Sequence, residues 1–127
     1  MGTRGLTEPW LTERNLSDWI DHATGRRCLM IRGWHGTWLG YVQAPDIGAE
    51  DYGTLPDALH AAAHGGLTHL GELKGYEDAG IFVGFDCCHA YDYSSELGIG
   101  QRSDYRTETY VRRCVVALAA ALGPLPV

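Results

Sequence analysis

Two short runs of the chain hold most of the side chains able to do chemistry: His64-Gly65-Gly66-Leu67-Thr68 and Gly84-Phe85-Asp86-Cys87-Cys88-His89-Ala90-Tyr91-Asp92. Between them they offer two imidazoles, His64 and His89, and two carboxylates, Asp86 and Asp92. Neutral imidazole and carboxylate together suit a divalent transition metal such as zinc or manganese. The Asp86-x-x-His89-x-x-Asp92 spacing with a distant His64 supplies a ligand set that leaves a position for water. Gly65 and Gly66 lack Cβ atoms, so the main chain there can turn its N–H groups toward an anionic oxygen, with the Thr68 hydroxyl close behind. Without a metal, Asp86 and His89 form an acid/base pair in which Asp86 or Asp92 orients the imidazole. Against both stands the plain alternative that each histidine is a hydrogen-bonded structural residue.

Aromatic residues flank these runs. Trp34, Trp38, Tyr41, Tyr91 and Tyr93 could stack a purine, with arginines to clamp its phosphates, and Trp34 and Tyr91 are the expected ligand contacts. The competing duty is core packing, because a small domain builds its interior from its largest side chains. Arg26-Arg27, Arg32, Arg102, Arg106 and Arg112-Arg113 are the candidate anion holders, since a guanidinium fork matches phosphate or carboxylate. The alternative for any one of them is a solvated surface position.

The elements that must position these groups are short. Gly80-Ile81-Phe82-Val83 leads into Asp86 as a buried strand, which puts Asp86, His89 and Asp92 where strand gives way to loop. Leu67 to Leu73 alternates as a strand, and Gly75 to Gly80 is a turn, so residues 67–86 read as an antiparallel pair. Cys28 to Ile31 and Thr37 to Val42 form a second hairpin across Gly33-Trp34-His35-Gly36, and Pro45 stops it. Thr12 to His22 reads as a brief helix with Leu16, Trp19 and Ile20 on one stripe, ended by Gly25. The loop from Ala44 to Pro56, with Asp46, Glu50 and Asp51, reads as solvated. Ala58 to Ala63 fits helix by propensity and strand by position, and both stay open. The segment Asp104 to Leu122 places Val111, Cys114, Val115, Leu118 and Leu122 on one helical face, with Ser103 as N-cap and Gly123-Pro124 as terminator. The predicted fold class is α+β: a small antiparallel sheet packed by a C-terminal helix and a short N-terminal helix.

At 127 residues, the chain is expected to form one domain, 1–127, burying about two-thirds of its extended surface. The net charge of −6 and a single lysine, Lys74, exclude a phosphate-driven binder of duplex nucleic acid, which needs a basic stripe. A small anionic ligand remains compatible. Four cysteines, Cys28, Cys87, Cys88 and Cys114, make neither a disulfide framework nor a paired zinc knuckle. Cys28 and Cys114 read as small buried hydrophobes of a reducing compartment. Met1 to Leu6 carries no apolar leader core, and no segment has the ~18 apolar residues of a membrane span. The expected location is the cytoplasm.

The motifs resemble a family of small, largely uncharacterised proteins of actinobacterial phages and prophages. In that family a Cys/Leu-Gly-Tyr-Val strand, a proline loop, an His-Gly-Gly-Leu/Ile-Thr motif, a Phe-Gly-Phe-Asp-Cys-Ala-His-Ala-Gly-Asp motif and a helix follow in order. Here the matching pieces are Leu39 to Val42, His64 to Thr68, Val83 to Asp92 and the helix around Tyr110 to Leu122. The chain departs where the family's Gly-His-Pro loop step becomes Pro45-Asp46-Ile47-Gly48, and where Ala-Gly-Asp becomes Ala90-Tyr91-Asp92. The resemblance implies a phage-type setting in a bacterial host and no particular reaction. In that setting three functions suit the chain: a metal-assisted hydrolase of a small phosphate-containing, nucleotide-like ligand; a non-catalytic sponge for a nucleotide signal of host defence; and a protein–protein inhibitor of a host enzyme. Association with further copies of itself is compatible with all three.

Overall fold

A computed structural model describes residues 16–33, 37–47, 52–63, 66–86 and 108–126. These residues make a five-stranded sheet in the order β1-β2-β3-β5-β4. Its strands are β1 (Leu16–Ile20), β2 (Arg27–Arg32), β3 (Trp38–Gln43), β4 (His69–Glu72) and β5 (Ile81–Asp86), and every pairing is antiparallel. The helices are α1 (Asp57–Ala62) and α2 (Glu108–Leu122). The α+β class is therefore as expected.

β2 and β3 form the expected hairpin, closed by Gly33 N–H donating to the Thr37 carbonyl at 2.6 Å. β4 and β5 form the second pair, and the turn between them holds a short 3₁₀ segment, Glu77–Ala79, flanked by Gly75 and Gly80 at positive φ. The segment at 58–63, open on sequence grounds, is helical: Asp57–Ala62 buries Leu59 in the core.

The N-terminal helix is overturned where the structure describes it, because Leu16–Ile20 is a strand. Three apolar residues at helical spacing over so short a window do not decide between helix and strand, and pairing with β2 does. The turn that follows makes that pairing local. The Asp21 carboxylate accepts from the Thr24 N–H at 3.1 Å and the Thr24 hydroxyl at 2.6 Å, and Gly25 takes φ +76. Such an Asx turn ending in glycine reverses the chain, so β1 lies against β2 with Leu16 opposite Ile31 and Ile20 opposite Arg27. Asp18 is then held by Arg27 from the neighbouring strand at 2.7 Å.

One face of the sheet carries Cys28, Met30, Trp38, Val42, Val83 and Phe85, all buried against Val111, Val115, Leu118 and Ala119 of α2 and Leu59 of α1. Each such Val or Leu contributes about 1.5–3 kcal/mol by leaving water. Gly40 lets the helix settle: a Cβ there would meet Phe85 Cζ at 2.6 Å and Val115 Cγ2 at 2.8 Å. Burial also pushes the Cys28 thiol up to about 12, as suits a small hydrophobe. α2 is terminated by Gly123, whose φ of +81 brings its N–H back to the Ala119 carbonyl at 3.0 Å. The Ser103 cap lies outside the described residues.

The acidic loop is not merely solvated, and Arg26 is not a surface arginine. The Arg26 side chain is fully buried, and all of its N–H donors are matched. Asp46 accepts two bonds at 2.8 and 2.9 Å, and the carbonyls of Gln43, Gly123 and Leu122 accept the others at 3.0, 2.7 and 3.4 Å. This one guanidinium ties the start of β2, the loop after β3 and the negative end of α2 together.

Candidate functional site

The hydrogen-bond ladder of the sheet brings parts of the two motif runs together. Leu67 is buried at the start of the β4 segment, and its N–H donates to His60 Nδ1 at 3.2 Å, which gives His60 a structural duty in α1. The next residue joins the sheet: Thr68 N–H donates to the Gly84 carbonyl at 2.9 Å. Its hydroxyl then reaches the last residue of β5, donating to Asp86 Oδ2 at 3.2 Å. Two residues back, Gly66 has a φ of +93, a conformation open to glycine and costly for other residues. Gly66, Thr68 and Asp86 therefore share one end of the β4–β5 pair.

The register also puts an aromatic beside them. Leu29, Tyr41, Gly84 and His69 stand in one row across β2, β3, β5 and β4, on the face turned away from α2. Gly84 has no side chain, and the Tyr41 ring fills the space: a Cβ on Gly84 would collide with Tyr41 Cδ1 and Cε1. The His69 ring meets the Tyr41 ring edge-on, with centroids 5.3 Å apart and planes at 86°, and its Nε2 lies 3.0 Å from the Gly71 carbonyl. The next row toward the strand end runs Leu16, Ile31, Leu39 and Asp86. Asp86 thus lies on the same face as Tyr41, one row further on. Burial, reinforced by the Asp86 charge, raises the Tyr41 hydroxyl above the usual phenol range, which keeps it a protonated donor.

His64, Gly65, Trp34, His89, Tyr91 and Asp92 lie outside the described residues, as do Cys87 and Cys88. Of the four expected metal ligands only Asp86 is described, and among the described residues no group of three or more His, Cys, Asp or Glu side chains gathers round one point. The donor set itself, imidazole plus carboxylate, fits zinc or manganese by its chemistry.

The described arginines are placed in other work. Arg26 is the buried clamp. Arg27 pairs with Asp18 and lies 5.0 Å from the Tyr76 ring centroid; Arg32 lies 4.8 Å over Trp38, which is itself fully buried in the core. Arg112 lies 4.3 Å over Trp19 and 3.4 Å from Glu108, in an open cleft of about 480 Å³ between β1 and α2 that also involves Leu16, Ser17 and Asp18. That cleft is on the β1 edge of the sheet, with β2 and β3 between it and Asp86. Among the described residues, no arginine other than exposed Arg113 lacks such a partner.

Sequence reasoning placed Thr68 and Asp86 at the site and missed the part played by Gly84 and His69. The available signal was a glycine inside an apolar strand, which marks close approach by a neighbour. No helix among the described residues is long and apolar enough to cross a membrane. Comparison with protein-family models, with curated proteins and with solved structures returned no match to this chain.

Proposed function

We propose that the chain is a phage-type accessory protein whose polar site, at the Asp86 end of β5, hydrolyses a small phosphate-containing, nucleotide-like ligand with the help of a divalent zinc or manganese ion. The observation that carries this reading is the Thr68 to Asp86 hydrogen bond at 3.2 Å, which joins the two chemistry-bearing runs in space. His64, Asp86, His89 and Asp92 would hold the metal, whose chemistry is to polarise a phosphoryl oxygen and to lower the pKa of a water. Thr68 donates to one carboxylate oxygen of Asp86 and fixes the direction of the other. The main-chain N–H of Gly65 would receive an anionic oxygen, while that of Gly66 donates to the Ala63 carbonyl at 3.3 Å. His89 accepts or returns the proton. The phage-type motif order supports the setting, a small molecule of host defence as substrate.

The test uses metal analysis and one substitution. Purified protein is expected to carry about one equivalent of zinc or manganese and to release inorganic phosphate from nucleotides. Asp86→Asn keeps the side-chain size and removes the charge, so it should abolish turnover while the melting temperature stays within a few degrees. A metal-free protein that binds nucleotides tightly without turnover would replace the hydrolase with a sponge. An Asp86→Asn protein that is strongly destabilised yet binds normally would make Asp86 a structural carboxylate and overturn the site.

A further inference from the structure

The row across the sheet beside Asp86 says what kind of molecule the site would accept. Tyr41 is half-buried and stands outside the core cluster under α2, on the opposite face of the sheet. Three features hold its ring in place. Gly84 beneath it supplies the room, and no residue with a Cβ could stand there without displacing the ring. His69 abuts it edge-on at 5.3 Å. His69 is in turn fastened through Nε2 to the Gly71 carbonyl at 3.0 Å. A ring seated in this way loses little freedom when a ligand covers it. Its neighbours toward the strand end are apolar, with Leu39 directly opposite Asp86 and Ile31 beyond. Polar chemistry begins abruptly at Asp86 and Thr68. Diagonal neighbours on one sheet face are ~7–8 Å apart, about the reach from a nucleobase to its 5′-phosphate.

We propose that Tyr41, seated over Gly84 and braced by His69, is the stacking platform for the base of a nucleoside phosphate whose phosphoryl group lies at Asp86 and Thr68, so that the site selects nucleotides over non-aromatic phosphates. This rests on the phosphate-site reading above and adds the ring that recognises the rest of the ligand. Every base has a π-face, so stacking admits any nucleobase and rejects a sugar phosphate that lacks one. The Tyr41 hydroxyl is an additional donor, and it is the ring that carries the selectivity.

The experiment is calorimetric titration of the full chain, in the presence of manganese, with two probes, AMP and ribose 5-phosphate. The intact protein should bind AMP at least tenfold more tightly than ribose 5-phosphate. Tyr41→Leu should bring AMP down to the affinity of ribose 5-phosphate and leave the latter unchanged, whereas Tyr41→Phe should keep most of the preference. Asp86→Asn should weaken both probes by a similar factor and preserve their ratio. Equal affinities for the two probes in the intact protein, which needs no variant to fold, overturn the platform and leave the phosphate site standing. So does a Tyr41→Leu protein, shown folded by its melting curve, that weakens both probes alike. A retained AMP preference with no effect of Asp86→Asn overturns the phosphate site and leaves the platform. Failure of the intact protein to bind either probe overturns both.

Discussion

Residue by residue, the face of the sheet beside the candidate site depends on what is missing at position 84. Tyr41 occupies the volume that a side chain there would take, and the Gly40 carbonyl oxygen would lie only 2.8 Å from the added carbon. Gly84→Ala must therefore push the ring off the sheet and strain the β3–β5 pairing. The expected cost is about 1–3 kcal/mol, as for other overpacked interiors. Denaturant melts of Gly84→Ala alone and combined with Tyr41→Ala measure it. The double variant should recover only part of the loss, because the backbone contact remains when the ring is gone. A Gly84→Ala protein as stable as the parent would show that the ring gives way at no cost. Tyr41 and Gly84 are each ordinary residues in their own strands, and only their pairing gives either a purpose.

Among the elements, the junction of β2, the β3 loop and α2 depends on a single guanidinium. Arg26 is fully buried and Asp46 is partly so, with 29 % of its side chain exposed. Removing the cation leaves the Asp46 carboxylate to water and deprives the carbonyls of Gln43, Leu122 and Gly123 of their donor. Arg26→Met should destabilise the protein by about 1–3 kcal/mol, the usual loss when acceptors closed over by the fold are left without their donor. Thermal melts would show it, and a shift of less than a degree or two would contradict the clamp. The pair also sets a response to acid. The hydrogen bonds from Arg26 hold the Asp46 carboxyl below the usual carboxylate range. A folded pKa below the unfolded value of about 3.9 means that the stabilisation is fully present above that value. It is lost as pH falls through the lower folded value. Asp46→Asn should therefore be less stable than the parent at neutral pH and should lose less of its stability between pH 4 and pH 2. Parallel pH titrations of the melting temperature compare the two, and identical slopes below pH 4 would remove the linkage.

At the scale of the molecule, stability should be graded across the sheet. β2, β3 and β5 are each hydrogen-bonded on both sides and carry Cys28, Met30, Trp38, Val42, Val83 and Phe85 into the core. β1 and β4 have a described partner on one side, and β1 leaves Leu16 and Ile20 about half exposed. Opening of an outer strand uncovers less apolar surface than opening of an inner one, so hydrogen exchange should be slowest in 27–32, 38–43 and 81–86 and faster in 16–20 and 69–72. Exchange followed by mass spectrometry reads this directly. Protection in β1 equal to that in β5 would mean that the whole sheet opens as one unit. The gradient bears on function, because Asp86 and Tyr41 sit on inner strands while Thr68 sits next to an outer one.

The sequence by itself determined those elements whose signal is local. β2, β3, β5 and α2 are apolar patterns of the right period, closed by glycine or proline, and α2 in particular is written in Val111, Val115, Leu118 and the stop at Gly123. It also determined which residues could do chemistry, since imidazole and carboxylate chemistry is a property of residue type. Tertiary structure decided everything that depends on pairing between distant segments. Leu16 to Ile20 carries a helical spacing and becomes a strand because β2 offers an edge and the Asp21–Thr24 turn returns the chain to it. Arg26 and Asp46 resemble surface charges until the helix end and the loop after β3 close over them. The meeting of Thr68 with Asp86, and of Tyr41 with Gly84 and His69, follows from strand register. A shift of one residue would turn each of those side chains to the other face, and register is set by packing and turn geometry across the whole sheet, which no local pattern encodes.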